Sequence, residues 1–236
     1  MTAPAVSIAF FDPARNLYGT ARSGTTLLFE GQSPTAIPEG PTVEKGRRGR
    51  LEARLADRFS LDLQPLSEEL ELGGVAVRTC RVSGEVGGAT VDCLGTIGET
   101  RTPPSWDELD ALRSISALLD DEHALLALAR RPRGARGHGE ERVAAVLIEA
   151  GEPLAVEDAR ISTVYDGEGR QRSAGLELWL PGEDFPRRGS GVAVAGSSLE
   201  LGGVTVHAAV FRWRVEGREG LGAYELMVRE ESPAAA

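Results

Sequence analysis

The segment Leu70-Glu71-Leu72-Gly73-Gly74-Val75-Ala76-Val77 returns in the second half of the chain as Leu199-Glu200-Leu201-Gly202-Gly203-Val204-Thr205-Val206. Such a repeat constrains the fold more than any bulk composition, because one unit is folded twice and both copies must bury their apolar faces. A second echo sets Arg81-Val82-Ser83-Gly84 and Gly87 against Arg214-Val215-Glu216-Gly217 and Gly220, at a slightly wider spacing, as a short insertion would produce. Each copy is an extended segment punctuated by Gly-Gly, so the pattern predicts a duplicated β unit.

Period-two alternation dominates elsewhere. Leu51, Ala53, Leu55 and then Phe59, Leu61, Leu63 alternate with Arg54, Ser60 and Asp62, which is the spacing of a half-buried strand. Further strands are expected over residues 6–11, 17–22, 26–29, 75–82, 90–94, 142–148, 156–164, 174–180, 204–215 and 224–229. Turn residues such as Asp12-Pro13, Gly87-Gly88 and Asp166-Gly167 divide them, so the chain reads as an all-β sandwich or barrel. Pro34, Pro38 and Pro41 suggest an irregular stretch, and residues 232–236 a frayed tail. Ser105-Trp106-Asp107-Glu108 matches a capping box after Pro103-Pro104, which predicts a short helix from Trp106 to about Leu112. A hairpin, Ile115 to Leu119 and His123 to Ala129, is expected next, although the Ala and Leu content of 113–129 also suits a helix. The run Arg130 to His138 then reads as a connection between halves, either a solvated linker balanced by Glu140 and Glu141 or an anion site. The expected division is 1–112, a first β lobe with its connecting helix, and 113–231, a second β lobe.

Composition narrows the partners. The chain has 236 residues and a formal net charge of −10, which disfavours phosphate backbones and anionic lipid surfaces, so no nucleic-acid partner is expected. Met1-Thr2-Ala3-Pro4-Ala5-Val6 has no basic region leading into an apolar run, and no transmembrane segment is read anywhere. These features predict a soluble, cytoplasmic protein. Lys45 is the only lysine, so Schiff-base chemistry would rest on one loop residue. Cys80 and Cys93 fall on the arms of a hairpin turning near Gly87-Gly88; free thiols are expected, with pairing left open. Three histidines and two cysteines at unrelated spacings suggest no metal, and no cofactor is expected. Phosphate-loop, nucleophile-elbow and His-Glu-x-x-His patterns are all missing from the sequence, which removes support for kinase, serine-hydrolase and zincin readings.

Several short strings carry a resemblance. They are Phe10-Phe11-Asp12-Pro13, Leu17-Tyr18-Gly19, Leu27-Leu28-Phe29-Glu30-Gly31, Arg131-Pro132 with Gly137-His138, Ala159-Arg160-Ile161-Ser162-Thr163-Val164-Tyr165-Asp166, Gly175-Leu176-Glu177-Leu178-Trp179 and Gly220-Leu221-Gly222-Ala223-Tyr224-Glu225. In these the chain resembles the two-lobed lipocalin-like superfamily of carotenoid 1,2-hydratases (hydroxyneurosporene synthases) and AttH-like proteins. It departs in the segment between the lobes, where the longer His- and Trp-rich stretch of larger members is reduced to Gly137-His138-Gly139-Glu140. The resemblance implies two tandem antiparallel barrels or half-barrels joined by a short helix, with an apolar cavity in at least one.

The strand 204–215 is apolar on both faces: His207, Ala209, Phe211, Trp213 and Val215 share one, and Val204, Val206, Ala208 and Val210 the other. Such a strand runs through the middle of a molecule, between a lumen and the other lobe. His207 is then either a neutral acid–base group on a cavity stripe or a core histidine bonded to backbone. Gly175, Glu177 and Trp179 share a face opposite Leu176, Leu178 and Leu180. If that face is the lumen, Glu177 is a proton donor for alkene hydration; if not, it is an outward glutamate beside a tryptophan. Glu225, with Asp92 as its expected counterpart in the first lobe, carries the same ambiguity and could pair with an arginine. Tyr18 and Arg22 could hold an anionic end group or be ordinary surface residues. Candidate catalytic residues are therefore Glu177 and His207, and candidate ligand-binding residues are Tyr18, Trp179, Phe211, Trp213 and Tyr224. The expected partner is a hydrophobic small molecule such as an isoprenoid, polyketide or lipid. A hydratase, cyclase or isomerase, and a noncatalytic structural protein with solid barrels, are the alternatives; the oligomeric state stays open.

Overall fold

A computed structural model describes residues 5–136 and 138–229, with only the backbone of residues 48 and 138. The expected tail at 232–236 and Gly137 of the inter-lobe connection lie outside the described residues. The first sheet comprises β1 (Ala5–Asp12), β2 (Leu17–Arg22), β3 (Thr25–Glu30), β4 (Ser33–Ile37), β5 (Thr42–Lys45), β6 (Leu51–Leu55), β7 (Phe59–Pro65), β8 (Leu70–Leu72), β9 (Val75–Val86) and β10 (Ala89–Thr100). The second comprises β11 (Leu109–Leu118), β12 (Ala124–Pro132), β13 (Arg142–Glu149), β14 (Glu152–Ala155), β15 (Asp158–Tyr165), β16 (Gln171–Trp179), β17 (Arg187–Glu200), β18 (Val204–Val215) and β19 (Arg218–Arg229). Their orders are β4-β3-β2-β1-β10-β9-β7-β6-β5, with β8 on β9, and β14-β13-β12-β11-β19-β18-β17-β16-β15. All pairings are antiparallel, and each sheet curls into a half-barrel around its own apolar core. A third core, built from Phe11, Phe29, Leu72, Leu126, Leu128 and Val210 among others, joins the two sheets back to back. The chain is therefore all-β with two tandem lipocalin-like half-barrels.

The duplication is visible residue by residue. Val75 pairs with Thr100 and Val86 with Ala89; Val204 pairs with Arg229 and Val215 with Arg218. Both ends of the hairpin are thus displaced along the chain by the same interval as the repeated segment, and no insertion lies between. The second, wider-spaced echo is a coincidence of hairpin composition: Gly84 sits within β9, whereas Gly217 is in the turn after β18. Asp92 is accordingly not the counterpart of Glu225; Thr96 is. The copies differ in strand continuity: β17 runs unbroken through a bulge at Ala193/Ala195 while the first lobe breaks the equivalent strand into β7 and β8.

The expected joining helix does not form. Residues 106–108 make one turn, with the Glu108 amide donating to the Ser105 carbonyl at 3.0 Å, and β11 begins at Leu109. The capping signal starts the turn, but β11 buries both faces, Ile115 and Ala117 inward and Leu112 and Leu118 toward the first lobe. An apolar segment buried on both sides lacks the polar stripe that separates strand from helix, and pairing with β12 and β19 decides for strand. Residues 113–129 form the expected hairpin with longer arms. Pro34 lies in β4, which among the described residues pairs with β3 alone at the end of its sheet; an edge strand tolerates the missing donor. Lys45 ends edge strand β5 and pairs with Glu99 at 3.0 Å.

Close strand approach fixes some glycines. A Cβ on Gly222 would overlap the Ser116 carbonyl oxygen, backbone that cannot step aside. Gly222→Ala should therefore destabilise the protein by about 2–3 kcal/mol in urea unfolding, whereas Gly139→Ala, which meets nothing within 4 Å, should leave the midpoint unchanged. Cys80 and Cys93 are free and buried inside the first half-barrel. Burial pushes the Cys93 thiol up to about 12 and Cys80 higher still. Neither should react with a disulfide reagent at mildly alkaline pH until the protein is unfolded.

Candidate functional site between the lobes

The second half-barrel is filled by aromatic rings. Along β18, Ala209, Phe211, Trp213 and Val215 point into it, while Ala208 and Val210 face the first lobe. Phe211 and Trp213 stack at 5.0 Å between centroids, and Tyr224 from β19 closes on Phe211 at 5.3 Å. Such offset ring packing stabilises a core beyond the area it buries. Against these rings lies Arg113, 1% exposed, paired with Glu141, 2% exposed. One terminal nitrogen of Arg113 donates to the Tyr224 and Thr163 hydroxyls, both at 3.2 Å, and both terminal nitrogens reach the Ile161 carbonyl at 3.4 Å. Glu141 also accepts from Arg131 at 2.9 Å. The cluster ties central strand β11 to edge strand β15, which curls back beside β13. Burial raises the Tyr224 phenol, with Arg113 pulling it the other way.

The candidate residues named from the sequence fall in four places. Phe211, Trp213 and Tyr224 meet inside the second lobe. His207 shares their face at its rim, where Nδ1 lies 2.7 Å from the Ser198 hydroxyl and its own carbonyl accepts from Gln171 at 3.0 Å. Burial lowers its pKa, with Glu200 and Asp166 opposing. Glu177 and Trp179 are on the outer face of β16: Glu177 pairs with Arg188 at 3.4 Å, and Arg160 stacks over Trp179 at 4.7 Å. Of the two readings set out for Glu177, its side chain takes the outward one, because Leu176 and Leu178 occupy the lumen. Tyr18 is in the core between the lobes, its hydroxyl 3.2 Å from Asn16 Oδ1, and burial raises its phenol.

A cavity of about 410 Å³ lies between the two sheets. β1 and β2 line it on one side and β11, β12 and β19 on the other, with Leu72, Val75, Pro103 and Trp106 at the margin. Its surface is mainly apolar, interrupted by the Thr20, Thr96 and Ser114 hydroxyls and by an ion pair across the lobes, Arg22 to Glu225 at 2.5 Å. Glu225 is the one carboxylate among the lining residues, and Arg130 is a second guanidinium at the wall. Few polar groups in an apolar hollow is the usual make-up of a small-molecule site. Two hollows of about 550 and 650 Å³ on the outer face of β15–β18 are larger but more open, being floored by exposed residues such as Ser162 and Ser190. The inter-lobe cavity is the more enclosed, and it is the better candidate. Arg22 and Glu225 lie at opposite ends of the chain, so their pairing had no local signal; Arg130 stood out only as part of the basic run between the lobes, and Ser114 not as a site residue. Among the described residues no group of three or more His, Cys, Asp or Glu side chains is arranged for a metal ion. No helix there is long and apolar enough to cross a membrane.

No protein-family model matches the chain, and no curated protein matches its sequence. Solved structures do match in shape. A Nitrosomonas europaea protein described as an AttH superposes with a TM-score of 0.64 at 14% identity, over 94% of this chain and 91% of that one. Kievitone hydratase from Nectria haematococca superposes with a TM-score of 0.62 at 9% identity, over 98% and 90% respectively. At such identities the likeness concerns architecture, and the two-lobed lipocalin-like fold is shared along nearly the whole chain.

Glu141→Gln leaves Arg113 buried without its counter-charge and should lower stability by about 3–5 kcal/mol in chemical denaturation. The depressed His207 has a pH signature. Its folded pKa lies below the unfolded value of about 6.5, so between the two the unfolded chain binds more protons. Stability should therefore fall as pH drops through that window, and His207→Gln should flatten this part of the urea-midpoint profile.

Proposed function

We propose that the protein binds a mainly apolar small molecule in the cavity between its lobes. The observation that carries this reading is a partly enclosed, largely apolar hollow holding a cross-lobe ion pair at its wall. Apolar surface supplies the affinity, and the Thr20, Ser114, Arg22 and Glu225 groups orient any polar end of the guest. The ring stack of Phe211, Trp213 and Tyr224 then serves as structural core behind the site rather than as its lining. The neutral, compact probe 1-aminoanthracene tests the reading. Its fluorescence should rise on addition of the protein and should fail to do so with Ser114→Phe, which places a ring in the hollow. Equal enhancement by both proteins contradicts an inter-lobe site.

A second reading, acid–base hydration, cyclisation or isomerisation of a bound alkene, is favoured by Glu225, the carboxylate of the cavity, and by likeness in fold to a structure named as a hydratase. In it Glu225 exchanges a proton with the guest while the apolar walls exclude bulk water. Fold alone does not carry chemistry. Glu225→Gln should abolish turnover of an identified substrate while leaving probe binding intact.

A further inference from the structure

The duplication puts two arginines at equivalent points of the cavity wall. In the first lobe Gly98, Ser7 and Arg22 form one cross-strand row; in the second the same row is Met227, Leu112 and Arg130. Each arginine reaches toward the other lobe, Arg22 to Glu225 and Arg130 to the Gly73 carbonyl in the repeated segment. Their surroundings differ in charge. The position occupied by Glu225 in the second lobe is Thr96 in the first, so Arg22 has a carboxylate and Arg130 has none. Among the described residues no carboxylate oxygen lies within ion-pair distance of Arg130, and its Nε is buried without an acceptor. The acids of the neighbouring strand β8 and its approach are already engaged, Glu69 with Arg78 and Arg101, and Glu71 with Arg101 and the Gly74 amide, and Glu225 holds Arg22.

We propose that Arg130 anchors the carboxylate of an amphipathic ligand in the inter-lobe cavity. The proposal rests on the small-molecule reading above and specifies the ligand class for it. A guanidinium at an apolar wall, with one nitrogen lacking an acceptor, is matched by a carboxylate, whose two oxygens suit the planar fork. In a chain of net charge −10, a cation left without a counter-charge at a cavity wall selects anions against the overall field. The remaining wall near Arg130, formed by Leu112, Leu128, Trp106 and Met227, suits a hydrocarbon body. The volume of about 410 Å³ corresponds to about fourteen water-sized groups at roughly 30 Å³ each, room for a chain of about ten carbons and its head group.

Isothermal titration with decanoate and with decan-1-ol, at neutral pH, separates the anchor from the cavity. The wild-type protein should bind decanoate about tenfold or more tightly than decan-1-ol, the ratio a charge-assisted pair supplies. Arg130→Gln should erase that preference and leave decan-1-ol affinity within about twofold, well under the tenfold step that marks a lost contact. Arg130→Lys, which keeps the charge, should retain the preference. Equal binding of the two probes by the wild-type protein, or a preference that survives Arg130→Gln, overturns the anchor while the cavity reading stands. Loss of the preference in Arg130→Lys, with decan-1-ol affinity unchanged, contradicts a charge-based anchor. Binding of neither probe overturns both.

Discussion

The structure depends on burying both faces of its central strands. β11, β18 and β19 each present one apolar face to the interior of the second half-barrel and the other to the first lobe. A half-barrel of this kind cannot stand alone in water, because its outer face carries residues such as Leu112, Leu118, Leu126 and Val210. Back-to-back packing hides that face, and apolar burial is the largest favourable term available to it. The same packing leaves a hollow where small residues, Ala9, Ser114 and Ala223 among them, face one another. The site is thus a product of how two copies meet rather than of either copy by itself.

Duplication supplies symmetry, and the two copies break it at the cavity. The paired Gly-Gly turns make the point: a Cβ on Gly73 or Gly74 would meet Leu128, Arg130 or Thr102, whereas one on Gly202 or Gly203 would meet nothing within 4 Å. Thr96 against Glu225 is the chemical counterpart of that difference. Of these two positions only the second carries a carboxylate facing the cavity, and the two equivalent arginines consequently stand in different electrostatic surroundings. In the second lobe Arg113 occupies the position of Ile8, as the pairings with Leu226 and Ile97 place it. There a buried ion pair and two hydroxyls hold the edge strand β15.

Much of the architecture was legible in the sequence, and the reasons are local. Alternation in Leu51 to Leu63 and the two-faced apolar run Val204 to Val215 marked strands, and the repeated Gly-Gly segment marked two lobes. β17 escaped notice because Arg187–Glu200 is rich in Gly, Ser and Ala. Its inner face needs little bulk where the Trp213 ring lies over Gly191. The helix expected from Ser105-Trp106-Asp107-Glu108 failed because local capping competes poorly with a strand paired on both edges. Alternation separated Glu177 and Trp179 from Leu176 and Leu178 but could not say which set faced inward. The Arg113–Glu141 pair had no signal in the sequence, since a buried pair is recognisable only once the partner strand is in place. Arg22 and Glu225 were noticed singly, and only the docking of the lobes brings them together.

The central claim is that the guest sits between the lobes, not within either barrel. A crystal structure of the protein soaked with a neutral apolar probe such as decan-1-ol tests it most directly. The account predicts probe density in contact with Trp106, Leu112 and Met227, with the rings of Phe211, Trp213 and Tyr224 unmoved. Density inside the second half-barrel, with Trp213 displaced from its stack on Phe211, would contradict it.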